Sequence, residues 1–221
     1  MNARDLSLPD IQAKSDGRNI AIDAVGIRGL REPLDPARFL ALVERMRVRL
    51  GAATGEIEMR FPHFVRKHAP VSGVPSLVDV DACWTGRRGA DGERTMRLRV
   101  TVPATSLCPC SREISDYGAH NQRSHITIDA LVAGEISVAE LVGLAERSAS
   151  CEVYGLLKRA DERFVTQRAY DNPRFVEDMG RDVAIGLDGE PRISSYAVAV
   201  ENFESIHNHS AFAALRRQRP R

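Results

Sequence analysis

The sequence predicts an α+β protein in which an antiparallel sheet carries its helices on one face. Several stretches alternate apolar and polar residues with a period of two, the pattern of half-buried antiparallel strands. Other stretches place apolar residues at helical spacing behind N-capping residues. Runs of strands, then paired helices, then a strand again are typical of a sheet whose helices are segregated to one face.

The N-terminal part predicts a strand followed by a helix. Residues 19–27 have the composition of the strand. Asp35 supplies an N-cap and Pro36 a first-turn proline for the helix, which ends before Gly51. Four residues at helical spacing form its apolar face: Phe39, Val43, Met46 and Leu50.

Three alternating segments then predict three strands. Their inward positions are Ile57, Met59 and Phe61, then Val78, Val80, Ala82 and Trp84, and then Met96, Leu98, Val100 and Val102. The turn-rich residues 86–92 join the last two segments into a hairpin. Residues 124–132 repeat the alternation further along the chain.

Three helices are predicted next. Ser137 and Glu140 form a capping box for the first, whose buried face is Val138, Leu141, Val142 and Ala145. Asp161 opens a short second helix. Asn172 and Pro173 cap a longer third helix that buries Val176, Met179, Val183 and Leu187.

The chain is predicted to close with a strand over residues 193–200 and a solvated basic tail over residues 216–221. No internal repeat or low-complexity segment interrupts the sequence. The prediction is therefore a single domain over residues 1–221.

Composition limits the classes of function. The 221 residues include 31 Lys and Arg against 30 Asp and Glu, a formal net charge of +1, which argues against a sequence-independent binder of nucleic acid or membrane surfaces. The longest stretch without charged side chains, residues 100–111, is too short to span a bilayer. Because the N-terminus lacks a secretory apolar run, we expect a cytoplasmic protein whose four cysteines are reduced.

Two cysteines one residue apart suggest a site. In an extended segment, Cys108 and Cys110 project to the same side, and Pro109 stiffens the link. His120 and His125 follow, and cysteine and histidine are residues that bind zinc-like cations. The spacing matches no standard zinc finger, and a pair of small buried thiols with surface histidines is an equally weighted alternative.

A second cluster of ionisable residues follows the last predicted strand: Glu201, Glu204, His207 and His209. Such a cluster can act as acid and base or as metal ligands. By pattern alone, Glu162, Glu177 and Asp178 are structural, because carboxylates are favourable near helix N-termini. Since the sequence has no glycine-rich phosphate loop, side chains and helix ends would have to hold any nucleotide.

Six motifs lie in order in the second half of the chain. They are TSLCPCS at residues 105–111, YGAHNQRSH at 117–125, ASCE at 149–152, GLLKR at 155–159, FVED at 175–178 and ENFESIHNHS at 201–210. Together they resemble the motifs of the type IB GTP cyclohydrolases. APVSG at residues 69–73 is a further match, and VGIRGLR at residues 25–31 resembles the first strand of that family. The resemblance covers residues 61–212.

The resemblance implies a tunnelling fold built from tandem units of antiparallel sheet with helices on one face. The N-terminal half would comprise about residues 19–104 and the C-terminal half about residues 105–212. Such chains assemble into a barrel-like homo-oligomer, a tetramer, with active sites at subunit interfaces. The partners expected are therefore GTP and further copies of the chain, with neither nucleic acid nor a membrane.

The resemblance also implies roles for particular residues. A divalent metal, zinc, manganese or similar, would be bound by Cys108, His120 and Glu162. Glu177 would anchor the purine, which reverses its structural interpretation. The acid-base and substrate-contacting groups would be Cys110, Glu204, His207 and His209.

The implied reaction converts GTP and water to formate and 7,8-dihydroneopterin triphosphate, the first step of folate-type pterin synthesis. Attack at C8 of guanine needs a hydroxide at neutral pH, which a divalent cation supplies by lowering the pKa of bound water towards about 7. One thiolate, one imidazole and one carboxylate leave a coordination position open for water or substrate.

One segment of the family pattern is missing from this sequence. In the family, a strand and a segment ending in a motif like KGTHMSR precede the helix that begins here at Asp35, whereas residues 33–36 join the neighbouring elements directly. A shortened, inactive relative that binds metal or purine, or serves in oligomerisation, is therefore one alternative. A nitrile reductase of the same fold, with a cysteine nucleophile and nicotinamide, is another, and His120 with the paired Cys108 and Cys110 argues against it.

Overall fold

The computed structural model describes residues 10–19 and 34–219. Within these residues the chain forms nine strands and five helices. The strands are β1 (Asp10–Ser15), β2 (Arg18–Asn19), β3 (Gly55–His68), β4 (Pro75–Arg88), β5 (Arg94–Leu107), β6 (Asn121–Val132), β7 (Cys151–Glu152), β8 (Ile193–Phe203) and β9 (Ser210–Gln218). The helices are α1 (Pro36–Arg49), α2 (Pro109–Ile114), α3 (Val138–Ser148), α4 (Arg159–Asp171) and α5 (Val176–Asp188).

All nine strands lie in one sheet, and their pairings are antiparallel. The order is β2-β1-β3-β4-β5-β6-β8-β9, and the short β7 pairs with β5 where the pairing of β5 with β4 has ended. The helices α1, α3 and α5 pack on the same face of this sheet. The predicted α+β class, with an antiparallel sheet and helices on one face, is confirmed, and it agrees with the implied tunnelling fold.

The core lies between this face and the helices, because every second residue of each long strand points towards them. In β6, for example, Ile126 and Ile128 are fully buried. A larger apolar cluster joins α3 and α5 to β4, β5, β6 and β8, and a smaller one joins α1 to β1 and β3. Trp84 lies between the two clusters, with its ring 5.6 Å from that of Phe39 and 5.4 Å from that of Phe61.

Two of the three predicted capping arrangements are confirmed. Asp35 Oδ1 accepts a hydrogen bond of 2.8 Å from Arg38 N at the start of α1. Ser137 and Glu140 form the reciprocal capping box of α3. The placement of Leu50 on the apolar face of α1 was wrong, because this residue is the C-cap and is 41% exposed.

Two helix boundaries differ from the prediction. The helix α4 is not short and begins at Arg159, and the buried Asp161 accepts a hydrogen bond of 2.9 Å from Lys158 N just before it. Asn172 ends α4 instead of opening the next helix, because its side-chain amide donates a hydrogen bond of 3.0 Å to Ala149 O. The next helix, α5, therefore begins further along the chain than its predicted cap.

The segment with the two adjacent cysteines is not extended as predicted. The strand β5 ends at Leu107, Cys108 is the N-cap of α2, and Cys110 lies inside that helix. The two thiols therefore do not line one side of a strand. All four cysteines of the chain, which lie within the described residues, are free.

The predicted tail, residues 216–221, is partly a strand. Residues 216–218 are exposed, as predicted, but they form the end of β9, which pairs with β8 along the edge of the sheet. Residues 220–221 lie outside the described residues. Arg217 forms an ion pair with Asp188, and Arg219 donates a hydrogen bond of 2.8 Å to Leu187 O. These cations hold the C-terminal end of α5, where helix carbonyl groups lack partners within the helix.

Three further predictions concern boundaries. The hairpin turn is displaced from residues 86–92 to residues 89–93, because β4 continues to Arg88. Asn19 ends β2, and the rest of the strand predicted there, residues 20–27, lies outside the described residues. The division into two halves, at about residue 104, stays a prediction.

None of the described helices is both long enough and apolar enough to cross a membrane.

Candidate functional site

The core ends in a polar patch at one end of β5, β6 and β8. Here the helix-facing positions change from apolar residues to Ser106, Ser124 and Asn202, all of which are buried. Ser124 Oγ lies 2.9 Å from Ser106 Oγ and 2.7 Å from Asn202 Oδ1. Because the strands are antiparallel, β5 and β8 end where β6 begins. The segments after β5 and β8 therefore meet the segment before β6.

Cys108 and His120 lie in adjacent segments at this end of the sheet. Cys108 N donates a hydrogen bond of 3.2 Å to His120 O. Ser111 joins both residues, because its N–H donates to Cys108 Sγ at 3.5 Å and its hydroxyl oxygen accepts from His120 N at 3.3 Å. Two of the three expected metal ligands are thus held by one short loop around the start of α2.

The side chain of His120 faces residues from β6 and from the β8–β9 connection. Its Nδ1 lies 2.9 Å from Gln122 Oε1 and 3.2 Å from Ser205 Oγ. Gln122 Nε2 donates a hydrogen bond of 3.5 Å to Glu204 Oε1. The structure therefore brings the expected acid-base residue Glu204 close to the expected ligand His120, from a position far along the chain.

The other predicted acid-base residues are more exposed. His207 and His209 are exposed and stack on each other, with ring centroids 5.1 Å apart. Cys110 is exposed on α2. His125 points to the sheet face without helices, where its ring lies 4.9 Å from that of Phe203. His125 is therefore not part of the polar patch.

Glu162 lies on the first turn of α4 and is turned towards its own helix. Its side chain is 50% exposed and forms an ion pair of 2.9 Å with Arg159. Thr166, one turn further on, lines a cleft of about 660 Å³ together with Tyr170 and residues 116–119. Residues four apart share one side of a helix. Glu162 is consequently on the side of α4 that faces the loop leading to His120.

Asp161, the neighbour of Glu162, is fully buried and fixes the start of α4. It accepts hydrogen bonds of 2.8 Å from the backbone N–H groups of Val71 and Ser72, of 2.7 Å from Ser72 Oγ and of 2.9 Å from Lys158 N. Burial raises the pKa of Asp161, but these hydrogen bonds outweigh it and hold the pKa well below its usual range. The turn between β3 and β4 therefore anchors the helix that carries Glu162.

The residue types at this end of the sheet fit a divalent metal, although they are not gathered around one point. Within the described part of the chain, no three His, Cys, Asp or Glu side chains lie close enough together to hold a metal ion. Sulfur, imidazole nitrogen and carboxylate oxygen are nevertheless ligands that zinc and related ions accept. Cys108 and His120 are in place near each other, and Glu162 would have to leave Arg159 to join them.

Comparison with known proteins identifies the family. Residues 30–213 match the family model described as type I GTP cyclohydrolase folE2. The chain belongs to the FolE2 family. GTP cyclohydrolase FolE2 1 of Dechloromonas aromatica is 48% identical over 261 residues, which covers 97% of this chain and 98% of the relative. GTP cyclohydrolase FolE2 of Ralstonia nicotianae is 46% identical over 258 residues, with 97% and 96% covered.

A third FolE2 relative, from Burkholderia ambifaria, is 52% identical over 215 residues, which covers 97% of this chain and 78% of the relative. Among solved structures, the uricase of Arthrobacter globiformis aligns with a TM-score of 0.47 and 11% identity, over 96% of this chain and 86% of that one. Membership in the FolE2 family confirms the predicted GTP cyclohydrolase class.

In this FolE2 chain the expected purine anchor lies at the start of α5, and the segment before that helix contacts the end of β5 through a hydrogen bond of 3.1 Å from Arg174 N to Leu107 O. Glu177 is exposed on the first turn of α5. Its neighbour Asp178 is ion-paired with Arg181 at 2.7 Å. Glu177 therefore has a carboxylate available for a ligand, whereas Asp178 is engaged within the helix.

Sequence reasoning missed Gln122, and it gave Asp161 no role beyond the start of a short helix. A signal existed for Gln122, because it shares the strand face of the apolar residues Ile126 and Ile128, where a glutamine is unusual. No signal pointed to the contact of Asp161 with Ser72, because the two residues are 89 positions apart in the chain.

Proposed function

We propose that this chain hydrolyses GTP to formate and 7,8-dihydroneopterin triphosphate, as a type IB GTP cyclohydrolase. The observation that carries the proposal is the 46–48% sequence identity, over nearly the full length of the chain, to proteins named GTP cyclohydrolase FolE2. The meeting of Cys108, His120 and Glu204 at one end of the sheet supports it, because these residue types suit metal-assisted hydrolysis with proton transfer.

Cys108, His120 and Glu162 would hold a divalent metal such as zinc or manganese. When bound, such a cation lowers the pKa of a coordinated water to about 7 and so supplies a nucleophile at neutral pH. Cys108 Sγ accepts a hydrogen bond of 3.5 Å from Ser111 N, which holds the sulfur at the N-terminal end of α2. Glu162 would complete the set by turning from Arg159, and the 50% exposure of its side chain leaves room for that rotation.

The remaining residues would bind the base and move protons. The carboxylate of Glu177 has two acceptor oxygens for paired N–H groups of guanine, an arrangement that adenine cannot match. Half-buried Glu204 accepts a hydrogen bond from Gln122 Nε2 and lies close enough to His120 to take part in proton transfer. Cys110, His207 and His209 are exposed enough to reach a substrate, and they supply the other proton transfers.

We further infer that the active form is a cytoplasmic homo-oligomer, a tetramer. The strand β9 lies at the edge of the sheet, and within the described residues its outer side has no partner strand. Natural proteins rarely leave such an edge of nine residues uncovered. Pairing between copies would cover it.

We infer that this chain lacks an internal segment of its FolE2 relatives. The alignment with the Dechloromonas protein runs over 261 residues, which exceeds the 221 residues of the whole chain by 40, so the relative has at least that many positions without a counterpart here. In this chain β1 pairs with residues 55–60 of β3 and buries Ile11 and Ala13 against the smaller apolar cluster. This pairing protects part of the β3 edge that loss of a strand would expose.

The decisive experiment measures GTP turnover by the purified full chain. Oxidised pterin fluorescence and released formate should both rise with time in the presence of Zn²⁺ or Mn²⁺. Cys108→Ala should abolish turnover and reduce bound metal, whereas the control Cys83→Ala, on the opposite sheet face, should not. Metal binding without turnover would instead support the shortened, inactive relative, and NADPH consumption would support the nitrile reductase.

A further inference from the structure

Gln122 has no assigned role in the site, yet its side chain connects two residues that do. It is the second residue of β6 and is 7% exposed. Its Oε1 lies 2.9 Å from His120 Nδ1, and its Nε2 donates a hydrogen bond of 3.5 Å to Glu204 Oε1. A buried amide between an imidazole and a carboxylate is oriented by what each neighbour can donate or accept.

The carboxylate decides the orientation of the amide. An ionised carboxylate only accepts hydrogen bonds, so the NH₂ group of Gln122 has to face Glu204. The reversed amide would place Oε1 against a carboxylate oxygen and bring two acceptors into contact. The amide oxygen of Gln122 therefore faces His120.

The amide oxygen in turn decides the tautomer of His120. Because Oε1 has no hydrogen to donate, the hydrogen of this contact belongs to Nδ1. Ser205 Oγ, 3.2 Å from the same Nδ1, is compatible because a hydroxyl oxygen also accepts. With Nδ1 protonated, Nε2 of the neutral ring carries a lone pair, and within the described residues no hydrogen-bond donor engages it.

We propose that Gln122 is a positioning residue that holds His120 in the Nδ1–H tautomer, with Nε2 ready to bind a metal, and that Glu204 sets this state through the Gln122 amide. The inference rests on the proposed function, which assigns the metal to His120. A metal-binding histidine commonly donates its other ring N–H to an oxygen acceptor, which fixes the ring and its tautomer. Here that acceptor is oriented by a third residue, which belongs to the β8–β9 connection.

The tautomer can be measured directly in the metal-free full chain. Nitrogen NMR distinguishes Nδ1–H from Nε2–H in neutral histidine rings at alkaline pH, and the signals of His120 are identified by their loss in His120→Asn. We expect the Nδ1–H form in the wild type. Gln122→Met keeps the length of the side chain but removes the acceptor, so it should give a mixture of tautomers. Gln122→Glu keeps an acceptor and should retain the Nδ1–H form.

Affinity for Zn²⁺ alone, measured by calorimetric titration, is the second readout. Gln122→Met should lower it about 10- to 100-fold, the usual effect of losing such an acceptor. Gln122→Glu should stay within a few-fold of the wild type, as should the matched control Gln167→Met on the exposed side of α4.

Two results would overturn the proposal. One is a wild-type His120 in the Nε2–H form, a result that does not depend on any change at Gln122. The other is a folded Gln122→Met protein that keeps both the wild-type tautomer and the wild-type affinity. Because the tautomer is read without metal or substrate, a wild type that shows the Nδ1–H form but fails to turn over GTP would contradict only the proposed function.

Discussion

The site residues carried by strand ends and those carried by helix ends are positioned in different ways. Cys108, His120 and Glu204 leave or enter neighbouring strands, and Gln122 links the last two by hydrogen bonds of 2.9 and 3.5 Å. Glu162, on the first turn of α4, is half exposed and paired within its own helix. Sheet register therefore preorganises one part of the proposed site, whereas the other part would require a rotation of the Glu162 side chain.

The helix-borne part is nevertheless held firmly at the level of the backbone. Asp161 ties the start of α4 to the turn between β3 and β4 through three hydrogen bonds, and it accepts a fourth from Lys158 N just before the helix. The neighbouring Glu162 takes no part in that anchor, and its side chain is 50% exposed. A fixed backbone beside an exposed side chain suits the proposed ligand, which would turn from Arg159 towards a bound metal.

The largest expected effect is on Zn²⁺ binding, and it distinguishes the strand-borne ligand His120 from the helix-borne ligand Glu162. His120→Ala should abolish measurable Zn²⁺ binding and GTP turnover, because it removes a preorganised ligand. Glu162→Gln should weaken Zn²⁺ binding to a measurable level, since the two strand-borne ligands remain. Calorimetric titration of both variants checks this order, with His125→Ala on the opposite sheet face as the control. Equal losses of Zn²⁺ affinity for His120→Ala and Glu162→Gln would contradict the distinction between a preorganised ligand and one that has to rotate.

A change at Glu177 tests whether a helix-borne carboxylate recognises guanine independently of metal binding. Glu177→Gln replaces an acceptor oxygen with a donor, which should cost about 1–3 kcal/mol of transition-state stabilisation, or about 5- to 150-fold in kcat/KM for GTP. Metal occupancy should not change. Steady-state kinetics and metal analysis on one preparation check this, with Asp178→Asn as the matched neighbour. Unchanged kinetics and an unchanged preference for GTP over ATP would return Glu177 to a structural role.

Asp161 tests the backbone anchor. Asp161→Asn should lower Tm by several degrees and reduce turnover less than Glu177→Gln, because α4 loses its charged acceptor while Glu162 remains. The folded pKa of Asp161 lies below its ordinary value of 3.8, so the carboxylate stabilises the fold above that pH and stops doing so as the pH falls towards the folded pKa. The difference in Tm from the wild type should therefore shrink between pH 7 and pH 3.

Thermal melts of Asp161→Asn and of the exposed control Asp171→Asn at both pH values make this measurement. A constant difference between wild type and Asp161→Asn across this range would show that the hydrogen bonds do not depend on the charge of Asp161.

The smallest expected effect is on Zn²⁺ affinity when Arg159 is removed. Arg159 pairs with Glu162 and would compete with a metal for its carboxylate. Arg159 is 96% exposed and Glu162 50% exposed, and exposed ion pairs contribute little. Arg159→Ala should therefore raise Zn²⁺ affinity by at most about fivefold. Arg163→Ala, on the same helix, should leave it unchanged. A fall in affinity for Arg159→Ala alone would mean that Arg159 positions Glu162 for the metal.

The predictions that were confirmed concern features with a short repeat or a fixed spacing. The strands β3 to β6 followed from alternation, the Asp35 cap from the proline beside it, and the Ser137 cap from Glu140 three positions on. Residues 216–218 were misjudged because they are basic and exposed, whereas the alternation that marks β9 lies before them, at Ala211, Ala213 and Leu215.

The GTP cyclohydrolase class was predicted from motif order and is confirmed by the family. The roles of Cys108, His120 and Glu162 stay predictions. The structure adds that two of these residues share a loop while the third does not join them.

The sequence by itself determined the strands β3 to β6 and β8, the helices on the sheet and the residue types available for chemistry, because alternation, capping and residue type act over a few positions. Tertiary structure alone decided which side chains meet. Gln122 contacts Glu204 across 82 positions, and Ser72 contacts Asp161 across 89. These contacts depend on where β8 and the β3–β4 turn come to lie in the folded chain. That placement follows from burying one face of a whole sheet under its helices, a requirement that no short segment contains.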